Sequence, residues 1–358
     1  MTNTLFFPGV GLSFELSRVA FTVFGLNVYW YGIIIGLAFA AAGFCYVRRA
    51  KLFGLDPDRV LDVMIVTVIG GVIGARLYYV AFRWEIYAGN LFAMVNLREG
   101  GLAIYGGIIG GVLACLAVCK LRRVRALPTL DLFASGLLIA QAIGRWGNFV
   151  NIEAFGTNTT APWGMRSDVI TDYLISHQAR LAELGMYVDP FIPVHPTFLY
   201  ESVWDVIGFI LIALYFKRRK FDGEILLIYL GWYGLGRAMI EGLRTDSLMM
   251  GGLRISQVVA ILCVVASVVI LCIVHAKIKA DPNWRTLYLH TDEAKSILDG
   301  TFYKRQAGEA LPPQLDMPAP PRLHDWRRVK ARTRWAASRT QMAEMRRQKI
   351  ALRRRKRI

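Results

Sequence analysis

The sequence predicts an all-α polytopic membrane protein with about seven transmembrane helices, and three observations predict it. Apolar residues make up 55% of the 358-residue chain and charged residues only 19%, and the mean hydropathy is +0.39. The apolar residues fall in blocks of roughly 17–25, long enough to cross a hydrocarbon core of about 30 Å as helices. Lysine and arginine gather in alternate loops between those blocks, as short cytoplasmic loops do.

The first block, residues 28–47, follows an N-terminus without the basic flank and small-residue cleavage site of a secretory signal, so it reads as an anchor. The second, 60–82, carries Arg76 late in its run. The third, 101–119, opens on Gly100-Gly101-Leu102-Ala103-Ile104-Tyr105-Gly106-Gly107, and the fourth, 130–150, ends on Gly144-Arg145-Trp146-Gly147-Asn148. The fifth, 197–216, starts after His195-Pro196, where proline suits a first helical turn. The sixth, 225–240, ends around Arg237 and Glu241, and the seventh is 255–274. Glycines crowd several of these blocks, which points to close helix approach.

Arg48-Arg49-Ala50-Lys51, Lys120-Leu121-Arg122-Arg123-Val124-Arg125 and Lys217-Arg218-Arg219-Lys220 follow the first, third and fifth blocks. Those loops are expected inside, which puts the N-terminus outside and the C-terminus in the cytoplasm. Residues 1–279 then form the transmembrane domain, with a polar outer cap at about 151–195 that is long enough to gate a pocket. Residues 280–325 read as a proline-containing linker, and 326–358 as a basic cytoplasmic tail ending in Arg353-Arg354-Arg355-Lys356-Arg357. From Lys277 onward 21 Lys and Arg face eight Asp and Glu, so the tail supplies +13 of the net +17. A solvated, partly helical tail is the plain expectation. Contact with anionic lipid through Trp326, Val329, Trp335, Met342 and Met345 is the alternative, and no specific nucleic acid partner is predicted.

The expected topology gathers scattered polar residues on the outer side. Arg76, Arg145, Asn148, Arg237 and Glu241 lie late in outward-running blocks, with Arg244 just beyond; Tyr31, Tyr105 and His195 lie early in or just before inward-running ones. Arg237 stands about 18 Å past Ile225, below the outer headgroups. An arginine at such depth costs at least about 2.5 kcal/mol on insertion scales, so it is normally paired or committed to a ligand. Several planar guanidiniums with carboxylate and amide partners suit a buried pocket for a phosphate headgroup. Simpler readings compete. Arg237, Glu241 and Arg244 fall at i, i+4 and i+7, where an ion pair needs no ligand. Arg145 can snorkel or pair with Glu153, and His195 with Glu201 can belong to a helix start or assist proton transfer. The five cysteines lie in apolar segments without metal or redox spacing, so no bound metal is implied.

The stretch Gly144-Arg145-Trp146-Gly147-Asn148-Phe149-Val150-Asn151-Ile152-Glu153-Ala154-Phe155-Gly156 resembles the signature of the prolipoprotein diacylglyceryl transferases of bacterial plasma membranes, Gly-Arg-x-Gly-Asn-Phe-x-Asn-x-Glu-x-x-Gly. His195-Pro196-Thr197 with Leu199-Tyr200-Glu201, the Gly100-Gly101 to Gly106-Gly107 element, and Gly236-Arg237 with Glu241 and Arg244 resemble other blocks of that family in order, across roughly residues 25–275. One position departs: Tyr105 stands where many members carry histidine, and tyrosine, with a reference pKa of about 10, is a poor base at neutral pH.

The resemblance implies transfer of a diacylglyceryl group from phosphatidylglycerol to a cysteine thiol after a prolipoprotein signal peptide, with glycerol phosphate released. It implies a multi-pass protein of the bacterial plasma (inner) membrane whose partners are that lipid, the signal-region peptide and the surrounding membrane lipids. Arg145 would bind the phosphate, and Arg237 the phosphate or the developing charge. Glu241 would orient Arg237; Asn148 and Tyr31, with Arg76 and Arg244, would position the headgroup. Glu153, Tyr105 and His195 are the candidates for the thiol proton. A transporter, or a lipid-binding assembly protein using the same arginines, is the rival class.

Overall fold

The computed structural model describes residues 2–302 except 97–99, 248, 251–252 and 283. The expected basic tail at 326–358, and the expected linker from 303 onward, lie outside the described residues. The chain is mostly helical, but it does not begin as a helix. Strands β1 (Thr2–Phe7) and β2 (Leu12–Ser17) form one antiparallel hairpin, and β3 (Val19–Val23) and β4 (Leu26–Tyr29) a second. The all-α expectation missed both, because short stretches of mixed polarity leave no long apolar run to read.

β4 passes directly into α1 (Trp30–Arg49), which a 3-10 turn joins to α2 (Pro57–Phe82). Asp56 caps α2 by accepting from the Asp58 N–H, and Pro57 occupies its first turn. Two short helices, α3 (Trp84–Tyr87) and α4 (Leu91–Val95), lead to α5 (Ile104–Arg122). After it come α6 (Ala126–Asn151), α7 (Asp168–Glu183), α8 (Thr197–Tyr215), α9 (Glu224–Glu241), the small β5–β6 hairpin (Met249–Met250 and Leu253–Arg254), α10 (Ile255–Ala280) and the short α11 (Asp292–Leu298).

Among the described residues, six helical segments are long and apolar enough to cross a membrane: Trp30–Phe53, Pro57–Phe82, Ile104–Arg122, Ala126–Asn151, Thr197–Arg218 and Ile255–Ala280. The expected sixth block is also helical, as α9, but its 18 residues include Glu224, Arg237 and Glu241, which keeps it outside the six. Leu37, Phe44, Ile65, Ile69, Leu77, Leu113, Leu262 and Val265 are exposed on these helices, as lipid-facing side chains are.

Helices α2 and α5 approach so closely that a Cβ on Gly74 would sit 2.5 Å from the Gly106 carbonyl oxygen, and one on Gly110 2.5 Å from that of Gly70. Small residues at these crossings let backbones touch where lipid supplies no hydrophobic drive between helices. α8 and α9 are locked differently. Trp204 and Trp232 stack at 4.3 Å, and each indole N–H donates to the other's backbone carbonyl, at 2.9 and 3.0 Å. Each ring needs a glycine opposite it: a Cβ on Gly236 would lie 2.3 Å from Trp204, and one on Gly208 2.2 Å from Trp232. At the other end of α9, the buried Asp131 carboxylate of α6 accepts the N–H groups of Gly223 at 2.7 Å and Leu226 at 2.8 Å, satisfying donors that the helix start leaves open. Helices α6, α8 and α9 are thus fixed against one another, and the site is built on them.

Two apolar cores result. One joins the helices near the α1–α2 turn and extends to Tyr288, Ala294 and Ile297, so the first part of the expected linker is packed structure. The other joins Leu5 and Phe7 of β1 to Ile152, Phe155, Ile170, Leu174, Val194 and Phe198. The segment expected as a cap therefore has a core of its own, with α7 capped by Ser167 and the N-terminal hairpin as one wall.

Candidate active site

Three guanidiniums meet on one carboxylate. Glu201, in the second turn of α8, faces α6 and the end of α9 and is almost fully buried. Its Oε2 lies 2.5 Å from Nη2 of Arg145. Its Oε1 lies 3.0 Å from Nη1 of Arg237 and 3.3 Å from Nη1 of Arg244. Arg237 uses its other terminal nitrogen on Glu241 Oε2 at 2.8 Å, the i, i+4 pair anticipated from spacing. Arg244 grips Asp246 with both Nε and Nη2, at 2.9 and 2.7 Å. The cluster balances three cations with Glu201, Glu241 and Asp246, which makes their burial affordable only as a set.

Helix α9 ends at Glu241, so Arg244 reaches the cluster from the following turn, where it bridges Gly156, and not from the helical face its spacing suggested. Arg254 secures that turn. Its Nη1 donates to the backbone carbonyls of Glu241 and Arg244, the latter at 3.2 Å. Arg145 pairs with Glu201 and not with Glu153. Among the described residues its Nε and Nη1 have no acceptor, so this guanidinium keeps donors for an anion.

Glu153 lies on the loop after α6, exposed, where its Oε1 accepts from Asn148 Nδ2 at 2.9 Å and Asn151 Nδ2 at 3.3 Å. Its neighbours Ile152 and Ala154 have φ of 52° and 56°. A β-branched residue in the left-handed region stores about 1–3 kcal/mol of strain, which the buried packing of Ile152 must hold. The loop borders a cavity of about 210 Å³ lined by Arg18, Glu153, Tyr173, Thr245 and Asp246 among others. Tyr31 packs against Gly147, where a Cβ would be 2.7 Å from its ring. The void shared by Glu201, Asp205, Tyr233 and Arg237 is about 10 Å³, room for about one water.

The other sequence candidates fall in different surroundings. His195 Nδ1 is 3.0 Å from the Tyr200 hydroxyl, which itself accepts the Trp163 indole N–H at 2.7 Å. Tyr200, accepting from Trp163, has its own proton to donate to Nδ1, the arrangement in which the neutral imidazole carries its proton on Nε2. Burial also lowers the His195 pKa, which favours that neutral form. Nitrogen NMR is expected to show the Nε2–H tautomer titrating below about 6.5; an Nδ1–H resonance would reverse the assignment. Tyr105 opens α5, half-buried, and no hydrogen bond or ion pair among the described residues joins it to the Glu201 cluster.

Arg76 is committed to backbone. Its Nε donates to Met94, its Nη1 to Gly100 and Gly101, and its Nη2 to Ala93 and Asn96, all at 2.7–2.9 Å. All five N–H groups are taken by carbonyls, which leaves none for the headgroup expected of it. Sequence reasoning had Glu201 as a helix-start acid or, with His195, as an aid to proton transfer. Its spacing of one turn from Pro196 was readable; its role as the shared partner of three arginines needs the packing of three helices.

The profile of the family described as prolipoprotein diacylglyceryl transferase matches residues 18–273. Proteins named phosphatidylglycerol–prolipoprotein diacylglyceryl transferase are similar along most of their length. That of Finegoldia magna is 41% identical over 256 residues, covering 71% of this chain and 94% of the relative. That of Clostridioides difficile is 41% identical over 254 residues, at 71% and 94%. That of Bacillus cereus strain Q1 is 40% identical over 270 residues, at 75% and 96%.

Proposed function

Because this chain belongs to the prolipoprotein diacylglyceryl transferase family, we propose that it transfers the diacylglyceryl group of phosphatidylglycerol to the thiol of a prolipoprotein cysteine, forming a thioether and releasing glycerol phosphate. The observation that carries this reading is the convergence of Arg145, Arg237 and Arg244 on Glu201, at 2.5, 3.0 and 3.3 Å. The protein is a multi-pass membrane protein, and its place is the bacterial plasma membrane. α9 serves as a seventh, polar-ended crossing beside the six apolar ones, with the N-terminus and the 151–195 segment outside and the C-terminus in the cytoplasm. The basic loops after α1, α5 and α8 support that orientation.

Sulfur attacks the glyceryl carbon, the carbon–oxygen bond breaks, and its electron pair stays on the phosphate, which gains negative charge. Arg145 and Arg237 stabilise that charge; a donor aimed at developing charge is worth about 10²–10³ in rate. The same cations favour thiolate over thiol at the acceptor, whose reference pKa is about 8.5. The 2.8 Å pair with Glu241 supports an orienting role for that residue on Arg237. Asn148, held by Glu153, and Tyr31 flank the headgroup, and Arg244 closes the cluster on the side of Asp246.

The test combines purified full-length protein, phosphatidylglycerol vesicles and a signal-region peptide with its acceptor cysteine. Diacylglyceryl-peptide by mass together with glycerol phosphate is the expected result. Lipid movement without product would favour a transporter, and headgroup binding without product a non-enzymatic assembly role.

A further inference from the structure

We propose that Glu201 is the base that takes the thiol proton, and that the arriving lipid phosphate switches it on. This rests on the transfer reaction proposed above. Glu201 holds the guanidiniums that the phosphate needs, and the void it shares with Arg237 and Asp205 is about 10 Å³, room for about one water. A phosphate that engages Arg145 and Arg237 therefore competes with the carboxylate for them.

Once Arg145 and Arg237 turn to the phosphate, Glu201 keeps only Arg244, at 3.3 Å, and its Oε2 is open beside the anion whose glyceryl carbon is to be attacked. The other candidates are worse placed. His195 has its Nδ1 engaged by the Tyr200 hydroxyl at 3.0 Å, and no hydrogen bond or ion pair among the described residues joins it to the Glu201 cluster. Glu153 is exposed and holds two asparagines, and Tyr105 has no link to the cluster among the described residues.

The proton also has somewhere to go. Asp205, one turn deeper on α8, is 2% exposed, and its Oδ2 has no hydrogen-bond partner among the described residues. It lines the same small void as Glu201. A buried, unpartnered carboxylate oxygen is satisfied by water or by a proton-bearing neighbour, so Asp205 is the relay through which Glu201 is cleared.

In the step itself, the thiol proton passes to Glu201 as the sulfur lone pair forms the sulfur–carbon bond. The carbon–oxygen bond breaks toward phosphate. The proton then leaves with glycerol phosphate or through Asp205, and the arginines return to Glu201.

The test is Glu201→Gln in the full-length protein, with rates read against pH and phosphatidylglycerol concentration. At pH 7 kcat is expected to fall about 10²–10⁴-fold, the usual worth of a positioned base. KM for the lipid should stay or drop, because a competitor for the arginines has lost its charge. Raising the pH to about 9, where a free thiol ionises unaided, should recover most of the loss relative to the unmodified protein. A merely structural role would raise KM and give a loss that persists at high pH. Unchanged kcat at pH 7, or no recovery at pH 9, overturns the proposal.

If the glutamine variant does not insert, Glu201→Asp carries the test. It should be slower with the pH profile unchanged, and a profile displaced to the thiol's own ionisation would count against the base. An unmodified protein that yields no thioether would instead overturn the transfer reading itself.

Discussion

Arg145→Ala is expected to reduce thioether formation by at least about 10²–10³-fold while the protein still inserts and keeps its helical content. That range is what removing one donor to developing charge costs, about 2.7–4 kcal/mol of transition-state stabilisation. The expectation follows from what Arg145 leaves unused. It spends Nη2 on Glu201 at 2.5 Å, and its side chain is 19% exposed, the same as that of Arg237. Arg237 and Arg244 remain on Glu201 in the variant, so the buried carboxylate is not orphaned and folding is spared. Initial rates by mass spectrometry, read beside thermal unfolding in detergent, separate the two effects. Arg145→Lys restores the charge but not the planar fork, so it should recover only part of the rate. A variant with full activity would remove Arg145 from the chemistry, and a variant that unfolds would make it a structural ion pair.

The residues that were legible in the sequence share one property: they are charged where the chain is otherwise apolar. A guanidinium in a block such as 130–150 or 225–240 announces itself, and so Arg145 and Arg237, with Glu241 one turn on, could be read without coordinates. Helix positions were legible for the same reason. The block at 197–216 is α8, Thr197–Tyr215, starting where Pro196 sets it. Glu201 is the counterexample. A carboxylate near the start of a helix is fully explained by the helix dipole, and nothing local reveals that α6 and α9 aim three arginines at it. The hairpins of the first 29 residues were hidden because strand pairing is long-range in a way that composition does not record.

Partner identity is also where the structure departs from what the sequence suggested for Arg76. A buried arginine was visible, and a phosphate was the natural partner to assign. Its acceptors are the backbone carbonyls of Ala93, Met94, Asn96, Gly100 and Gly101, and a carbonyl is carried by every residue, so no side-chain pattern marks it. The glycines nearby were the available hint. Gly100 and Gly101 have φ of 78° and 76°, which turns both carbonyls toward the guanidinium. A Cβ on Gly101 would come within 2.4 Å of Arg76 Nη1.

Arg76→Met is therefore expected to destabilise the fold by about 3–5 kcal/mol, the scale of removing one member of a buried charged network. The residue is 5% exposed, and its loss leaves five carbonyls competing for donors that a membrane-embedded site does not supply, each at about 1–3 kcal/mol when left unpaired. Arg76→Lys should rescue little, since an ammonium has three donors at one point and cannot span both Ala93 and Gly100. The damage should spread toward α5, because the Ala103 N–H that precedes it donates to the Ala75 carbonyl beside Arg76. Limited proteolysis is the check: new cleavage is expected between residues 91 and 103, together with a lower unfolding temperature. Turnover per folded molecule should change far less than folded yield. If instead the fold holds and KM for phosphatidylglycerol rises tenfold, Arg76 binds the headgroup after all, and its five carbonyl partners belong only to the lipid-free protein.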